Sequence, residues 1–108
     1  MLQDGMLLRI YLVESVRIGE RPGYRYLVDF FKERGFPGCT VFRGMMGYGH
    51  DYKIRTVDVL QLSLDLPVVI DVVDTEEKIL AIVPEVEALV KNGLVTVQNV
   101  QVGRHGDH

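Results

Sequence analysis

Thr40-Val-Phe-Arg-Gly-Met-Met-Gly-Tyr-Gly-His50 begins as a strand and stops being one within four residues. Thr40, Val41 and Phe42 have the β-branched and aromatic character that suits a pleated surface. Gly44, Gly47 and Gly49 then place three glycines in six positions. Glycine weakens a regular element, and is kept where the backbone needs φ > 0 or a close approach. The polar run His50-Asp-Tyr-Lys-Ile-Arg-Thr56 follows. The pattern predicts a strand opening into a long mobile loop over residues 47–57. Loops on rigid scaffolds concentrate binding residues, so this loop is the expected functional part.

The flanking sequence supplies the scaffold. Upstream, Leu7–Val13 sets Leu8, Ile10 and Leu12 against Arg9 and Tyr11, a period-two strand. Met1–Gly5 before it reads as an unpaired, disordered leader. After the polar connection Glu14–Arg21, Pro22 suits the first turn of a helix. Tyr24, Leu27, Val28 and Phe31 carry that helix at i, i+3, i+4, i+7 spacing. Lys32 and Arg34 followed by Gly35 give it cations and a left-handed cap.

Downstream, Val57-Asp-Val-Leu60 fits a short strand or a helical turn equally well. Asp65-Leu-Pro67 is a turn, and Val68–Val73 is a β-branched run of the kind found in central strands. Asp74 with Glu77 resembles a capping box. Ile79, Ile82, Val83, Val86, Leu89 and Val90 keep helical spacing up to Asn92-Gly93, with Pro84 inside and a kink expected there. In the last strand, Leu94–Val102, the apolar phase changes from Val95 and Val97 to Val100 and Val102, which predicts a bulge near Gln98-Asn99. Residues 103–108 read as a disordered tail.

The order β-α-β-β-α-β predicts an α+β chain: a ferredoxin-like sandwich with a four-stranded antiparallel sheet and two helices on one face. The other face would carry Arg9, Tyr11, Asp71, Thr96 and Gln98, and a bare face with two edges is usually managed by association. At 108 residues one domain is expected. A net charge of −3 argues against a nucleic-acid partner. The single cysteine, Cys39, leaves no internal disulfide and no multi-cysteine zinc site. No apolar run approaches the roughly 18 residues of a membrane span, so direct membrane insertion is not expected. Without a signal-peptide pattern, a cytoplasmic protein is the default expectation.

Four stretches together resemble the PII signal-transduction superfamily, and within it the branch of uncharacterised PII-like proteins (domain of unknown function 190). They are Leu8-Arg-Ile-Tyr-Leu-Val-Glu-Ser15, Thr40–Gly49, Leu64-Asp-Leu-Pro67 and Val73-Asp-Thr-Glu-Glu-Lys78. The resemblance implies a homotrimer with projecting loops and a cleft between subunits for an adenine nucleotide or a related small-molecule effector. It also implies an unknown target protein, a membrane transporter being one such target. Gly47-Tyr48-Gly49, followed by His50, matches the unit that lines the cleft. Asp65-Leu66-Pro67 matches its second wall. The third element departs: Asn92-Gly93 runs straight into the last strand with no Gly-Asp-Gly-Lys equivalent, so a mono- or diphosphate is favoured over a triphosphate.

Bland readings stand beside these. Gly47-Tyr48-Gly49 with Gly44 also suits a loop hinge. Arg43, Lys53 and Arg55 are the nearest cations, and Arg43, beside a strand-ending glycine, is the expected anion partner. His50 and Asp51 with Glu14 or Asp58 compose a weak metal set. His105 and His108 lie in the tail. Cys39 reads as a small apolar residue, Met45-Met46 as packing. With no Ser-His-Asp arrangement and no close carboxylate pair, catalytic residues and metal ligands are expected to be none. A regulatory binding module therefore ranks first. Its rivals are a small enzyme with His50 as acid–base group and a trimer like the divalent-cation-tolerance proteins.

Overall fold

The structure is a computed structural model and describes residues 1–57 and 65–105. Ten elements follow in chain order: β1 (Gln3–Val13), β2 (Arg17–Ile18), β3 (Arg21–Pro22), α1 (Gly23–Glu33), β4 (Thr40–Arg43), β5 (Met46–Gly47), β6 (Arg55–Thr56), β7 (Pro67–Asp74), α2 (Glu76–Leu89) and β8 (Leu94–Val102). The main sheet is antiparallel in the order β4-β7-β1-β8. It is the predicted ferredoxin-like α+β arrangement. Among the described residues, no helix is long and apolar enough to cross a membrane.

Period-two alternation decides which face is covered. Met6, Leu8, Ile10 and Leu12 of β1 and Val68, Ile70 and Val72 of β7 all point into the core. There they meet Leu27, Phe30 and Phe31 of α1 and Ile79, Ile82 and Val86 of α2. Leu8, Ile10, Ile70 and Phe31 are fully buried, each contributing on the order of 1.5–3 kcal/mol. Both helices thus lie on one side of the sheet.

The other face is bare, and the register lines up its residues in rows. Phe42 stands opposite Val69, Val69 opposite Tyr11, and Tyr11 opposite Leu94, one apolar row across all four strands. The next row is polar, Thr40, Asp71, Arg9 and Thr96. At its centre the Arg9 guanidinium grips Asp71 with two bonds, Nε to Oδ1 at 2.7 Å and Nη2 to Oδ2 at 2.8 Å.

Several boundaries differ from the sequence expectation. Residues 3–5 are not an unpaired leader: Gln3, Asp4 and Gly5 pair with Val102, Gln101 and Val100. The same register runs unbroken from Gln3 to Tyr11, so β8 has no bulge. Its change of apolar phase is a change of face. Val95 and Val97 stand opposite Ile10 and Leu8 on the helix side, whereas Val100 and Val102 stand on the bare side. The N-cap of α2 is Thr75, whose hydroxyl accepts from the Lys78 amide at 3.2 Å, and not the expected Asp74 with Glu77. Pro84 does lie inside α2, and Gly35 does close α1 in the left-handed region. Of the ambiguous Val57–Leu60 stretch, residues 58–60 lie outside the described residues, as do 106–108 of the tail.

Candidate functional site

The expected loop is rooted in a ribbon. Met46 pairs with Thr56 and Gly47 with Arg55, and the Val57 amide donates to the Met45 carbonyl at 2.9 Å. Gly44 seats this ribbon on the sheet by donating its amide to the Pro67 carbonyl at 2.7 Å. A side chain at Gly44 would meet the Pro67 ring at 2.9 Å. Beyond the ribbon, Tyr52 donates its amide to the Gly49 carbonyl at 2.9 Å and adopts φ 56°. That tight turn brings the Tyr48 and Tyr52 rings into a stack, 6.0 Å between centroids.

Between this loop root, the end of β1 and the turn from α2 into β8 lies a cavity of about 650 Å³. Gly44, Gly47, Tyr48, Gly49, His50, Pro67 and Gly93 all line it. Seven of the residues picked out from sequence therefore converge on one space, although they come from three separate stretches of chain. Gly93 is there for lack of room: a Cβ would stand 2.4 Å from the Tyr11 carbonyl oxygen.

Three other expected residues are placed differently. Leu66 is buried. Arg43 donates Nη2 to Glu14 Oε1 at 3.0 Å and does not line the cavity. Asp65 also stands off the lining, with one oxygen accepting from the Ser15 amide at 2.8 Å and the other from the Ser15 hydroxyl at 2.9 Å.

The cation at the cavity is Arg55. Its Nε donates to Asp65 at 3.2 Å, while Nη1 and Nη2 reach the two oxygens of Asp51 at 3.3 and 3.1 Å. Asp51 and Arg55 both line the cavity. The Arg55 bonds, joined by the Lys53 amide, hold the Asp51 carboxyl down at about 2. Burial pushes Asp65 up, but the Ser15 hydroxyl and amide and then Arg55 outweigh it, leaving that carboxyl below its ordinary value. Sequence reasoning named Arg55 only as one of three cations and missed its pairing with Asp51. Four-residue spacing signals contact on a helix, whereas here it spans a turn. As for metal ligands, among the described residues no three His, Cys, Asp or Glu side chains come together; Asp58 lies outside them.

Residues 5–102 match the family described as DUF190, Uncharacterized ACR. A UPF0166 protein of Aquifex aeolicus (strain VF5) is 43% identical over 96 residues, covering 89% of this chain and 90% of the relative. A UPF0166 protein of Methanocaldococcus jannaschii is 35% identical over 97 residues, covering 89% of each. Among solved structures, CPII from Thiomonas intermedia K12, a nitrogen regulatory PII-like protein bound to ADP, AMP and bicarbonate, superposes with a TM-score of 0.65 at 22% identity. That match covers 96% of this chain and 92% of the other. CPII bound to ADP and bicarbonate gives 0.62 at 23% identity, covering 96% and 93%. The likeness to CPII is one of fold.

Proposed function

Because the chain belongs to the DUF190 family and has the PII-like fold, we propose that it is a regulatory binding module. In this reading a homotrimer takes an adenine nucleotide at the loop root, and the loop reports occupancy to a partner protein. The observation that carries it is the convergence of Gly47, Tyr48, Gly49 and His50 with Pro67 and Gly93 around one cavity of about 650 Å³. That volume lies in the range of small-ligand sites. Glycine backbone on the wall permits close approach, and the exposed Tyr48 ring offers a face on which a purine stacks. CPII, of the same fold, is bound to ADP, AMP and bicarbonate in one of its structures.

The carboxylate on this wall does not suit catalysis, so an enzymatic reading would rest on His50 alone. Asp51, the carboxylate on the cavity, is held near 2 by its bonds to Arg55, far from the value that suits a general acid or base near neutrality. The loop meanwhile exposes Met45, Met46, Tyr48, Tyr52 and Ile54, an apolar set suited to a protein partner. Thermal denaturation with AMP, ADP and ATP tests the reading. A ligand at about 100 times its dissociation constant stabilises the fold by roughly 2.7 kcal/mol per site, a shift of several degrees for a chain this size. AMP or ADP is expected to exceed ATP, since Asn92-Gly93 enters β8 directly. If no adenine nucleotide moves the transition at millimolar concentration, the reading is wrong.

A further inference from the structure

We infer that Arg55 is the anion-binding residue of this cavity and that Asp51 occupies it when no ligand is present. A phosphate or carboxylate on the ligand then binds by displacing the chain's own carboxylate. The inference deepens the nucleotide reading and rests on it for the identity of the ligand, though not for the anion site itself.

The two carboxylates on Arg55 differ in what holds them. Asp65 is fixed to the body, gripped by Ser15 through both oxygens where the chain leaves β1. Its bond to Nε orients the guanidinium. Asp51 instead sits on the loop turn, takes the outward fork of Nη1 and Nη2, and lines the cavity with it. A forked guanidinium with its Nε pinned presents the geometry that carboxylates and phosphates share. Asp51 is thus a surrogate for a ligand anion, seated at the site where one would bind.

The surrogate is poised to leave. Asp51 is held by contacts within the loop itself, to Arg55 and the Lys53 amide. Asp65, at the same 36% side-chain exposure, is tied to Ser15 of the body, and a part-exposed ion pair is weaker than a buried one. Arg43 offers no comparable fork, because its guanidinium is turned to Glu14, whose oxygen also accepts the Leu66 amide. Displacement has a structural consequence. Asp51 Oδ1 accepts the Lys53 amide as well as Arg55, so moving the carboxylate loosens the turn at the loop tip. Occupancy of the cavity and docking of the loop therefore compete for one guanidinium.

Titration calorimetry of the whole protein with AMP, ADP and inorganic pyrophosphate tests this. Asp51→Asn keeps a side-chain oxygen for the Lys53 amide and removes the competing charge, so it is expected to tighten AMP binding about three- to five-fold. Arg55→Gln is expected to weaken binding at least about ten-fold, an effect of the size seen when a charged hydrogen bond is lost, and Arg43→Ala to leave it unchanged. In the wild type, carbon NMR should show the Asp51 carboxyl titrating near 2 in the free protein and higher once AMP saturates the site. If AMP binds but Asp51→Asn binds it equally or more weakly, with the Asp51 titration unmoved by ligand, this inference falls and the nucleotide reading survives. If pyrophosphate alone binds, with the predicted response to both variants, the anion site stands and the nucleotide reading falls. If none of the three binds, both fall.

Discussion

Gly93 and Gly49 border the same cavity under opposite constraints. A Cβ on Gly93 would stand 2.4 Å from the Tyr11 carbonyl oxygen and 2.7 Å from Val90 Cγ1, and backbone in a central strand does not yield. Gly93→Ala is therefore expected to destabilise by about 1–3 kcal/mol, as overpacking does, lowering Tm by roughly 10 °C. Gly49 has nothing within 4 Å of the added carbon, so Gly49→Ala should leave Tm within a degree or two. Differential scanning calorimetry of the pair decides whether the glycines serve packing or the loop. Equal effects would show that the close contact at Gly93 relaxes cheaply. At this scale sequence reasoning located the glycines but not their reasons. It ranked Arg43 first among the cations by its place beside a strand-ending glycine, whereas a guanidinium goes to whichever carboxylate the fold brings near: Glu14 for Arg43, Asp51 and Asp65 for Arg55.

At the scale of elements, periodicity was legible and junctions were not. Leu8, Ile10 and Leu12 announced β1, and the strand expected to open at Thr40 is β4, Thr40–Arg43. The leader escaped notice because Gln3, Asp4 and Gly5 are paired through backbone to β8, which leaves no mark in side-chain pattern. The start of α2 was misjudged by one residue, since Asp74 and Thr75 are both capping types and only the structure shows which hydroxyl or carboxylate meets the Lys78 amide. Thr75→Ala should cost about 1 kcal/mol in urea unfolding, and Thr75→Ser almost nothing; equal losses would mean the hydroxyl is not the cap.

The loop makes a separate prediction. Asp51 and Asp65 have folded values below their unfolded ones, near 3.9, so their contribution is complete above pH 4 and is lost as pH falls toward 2. Amide protection between residues 48 and 56 should fall in that window relative to β7, and Arg55→Gln should abolish the difference. Unprotected amides there already at pH 7 would mean that the loop moves freely in spite of Arg55.

For the molecule as a whole, β-α-β-β-α-β could be read from periods of two and 3.6 because one core face organises every main element. What the sequence left open is the use of the bare face. β7 explains the difficulty. Its Val68–Val73 run reads as buried on both sides, yet only Val68, Ile70 and Val72 are buried in the single chain. Val69 joins Phe42, Tyr11 and Leu94 in the apolar row, and the last three are 52%, 38% and 57% exposed. A row of this kind calls for cover, and a second and third copy of the chain would supply it while closing the cavity from a neighbour's side. Multi-angle light scattering at micromolar concentration is expected to give three subunit masses of 12.2 kDa each. Phe42→Asp is the informative variant, because Phe42 is exposed on the edge strand and does not line the cavity. In a lone subunit such a surface change alters stability by no more than about 0.5 kcal/mol. In a trimer packed through the sheets it places unpaired carboxylates in the interface, and the mass should fall to one subunit while the circular dichroism spectrum holds. A wild-type monomer would remove the trimer altogether, and a Phe42→Asp trimer would move the subunit contact off this face.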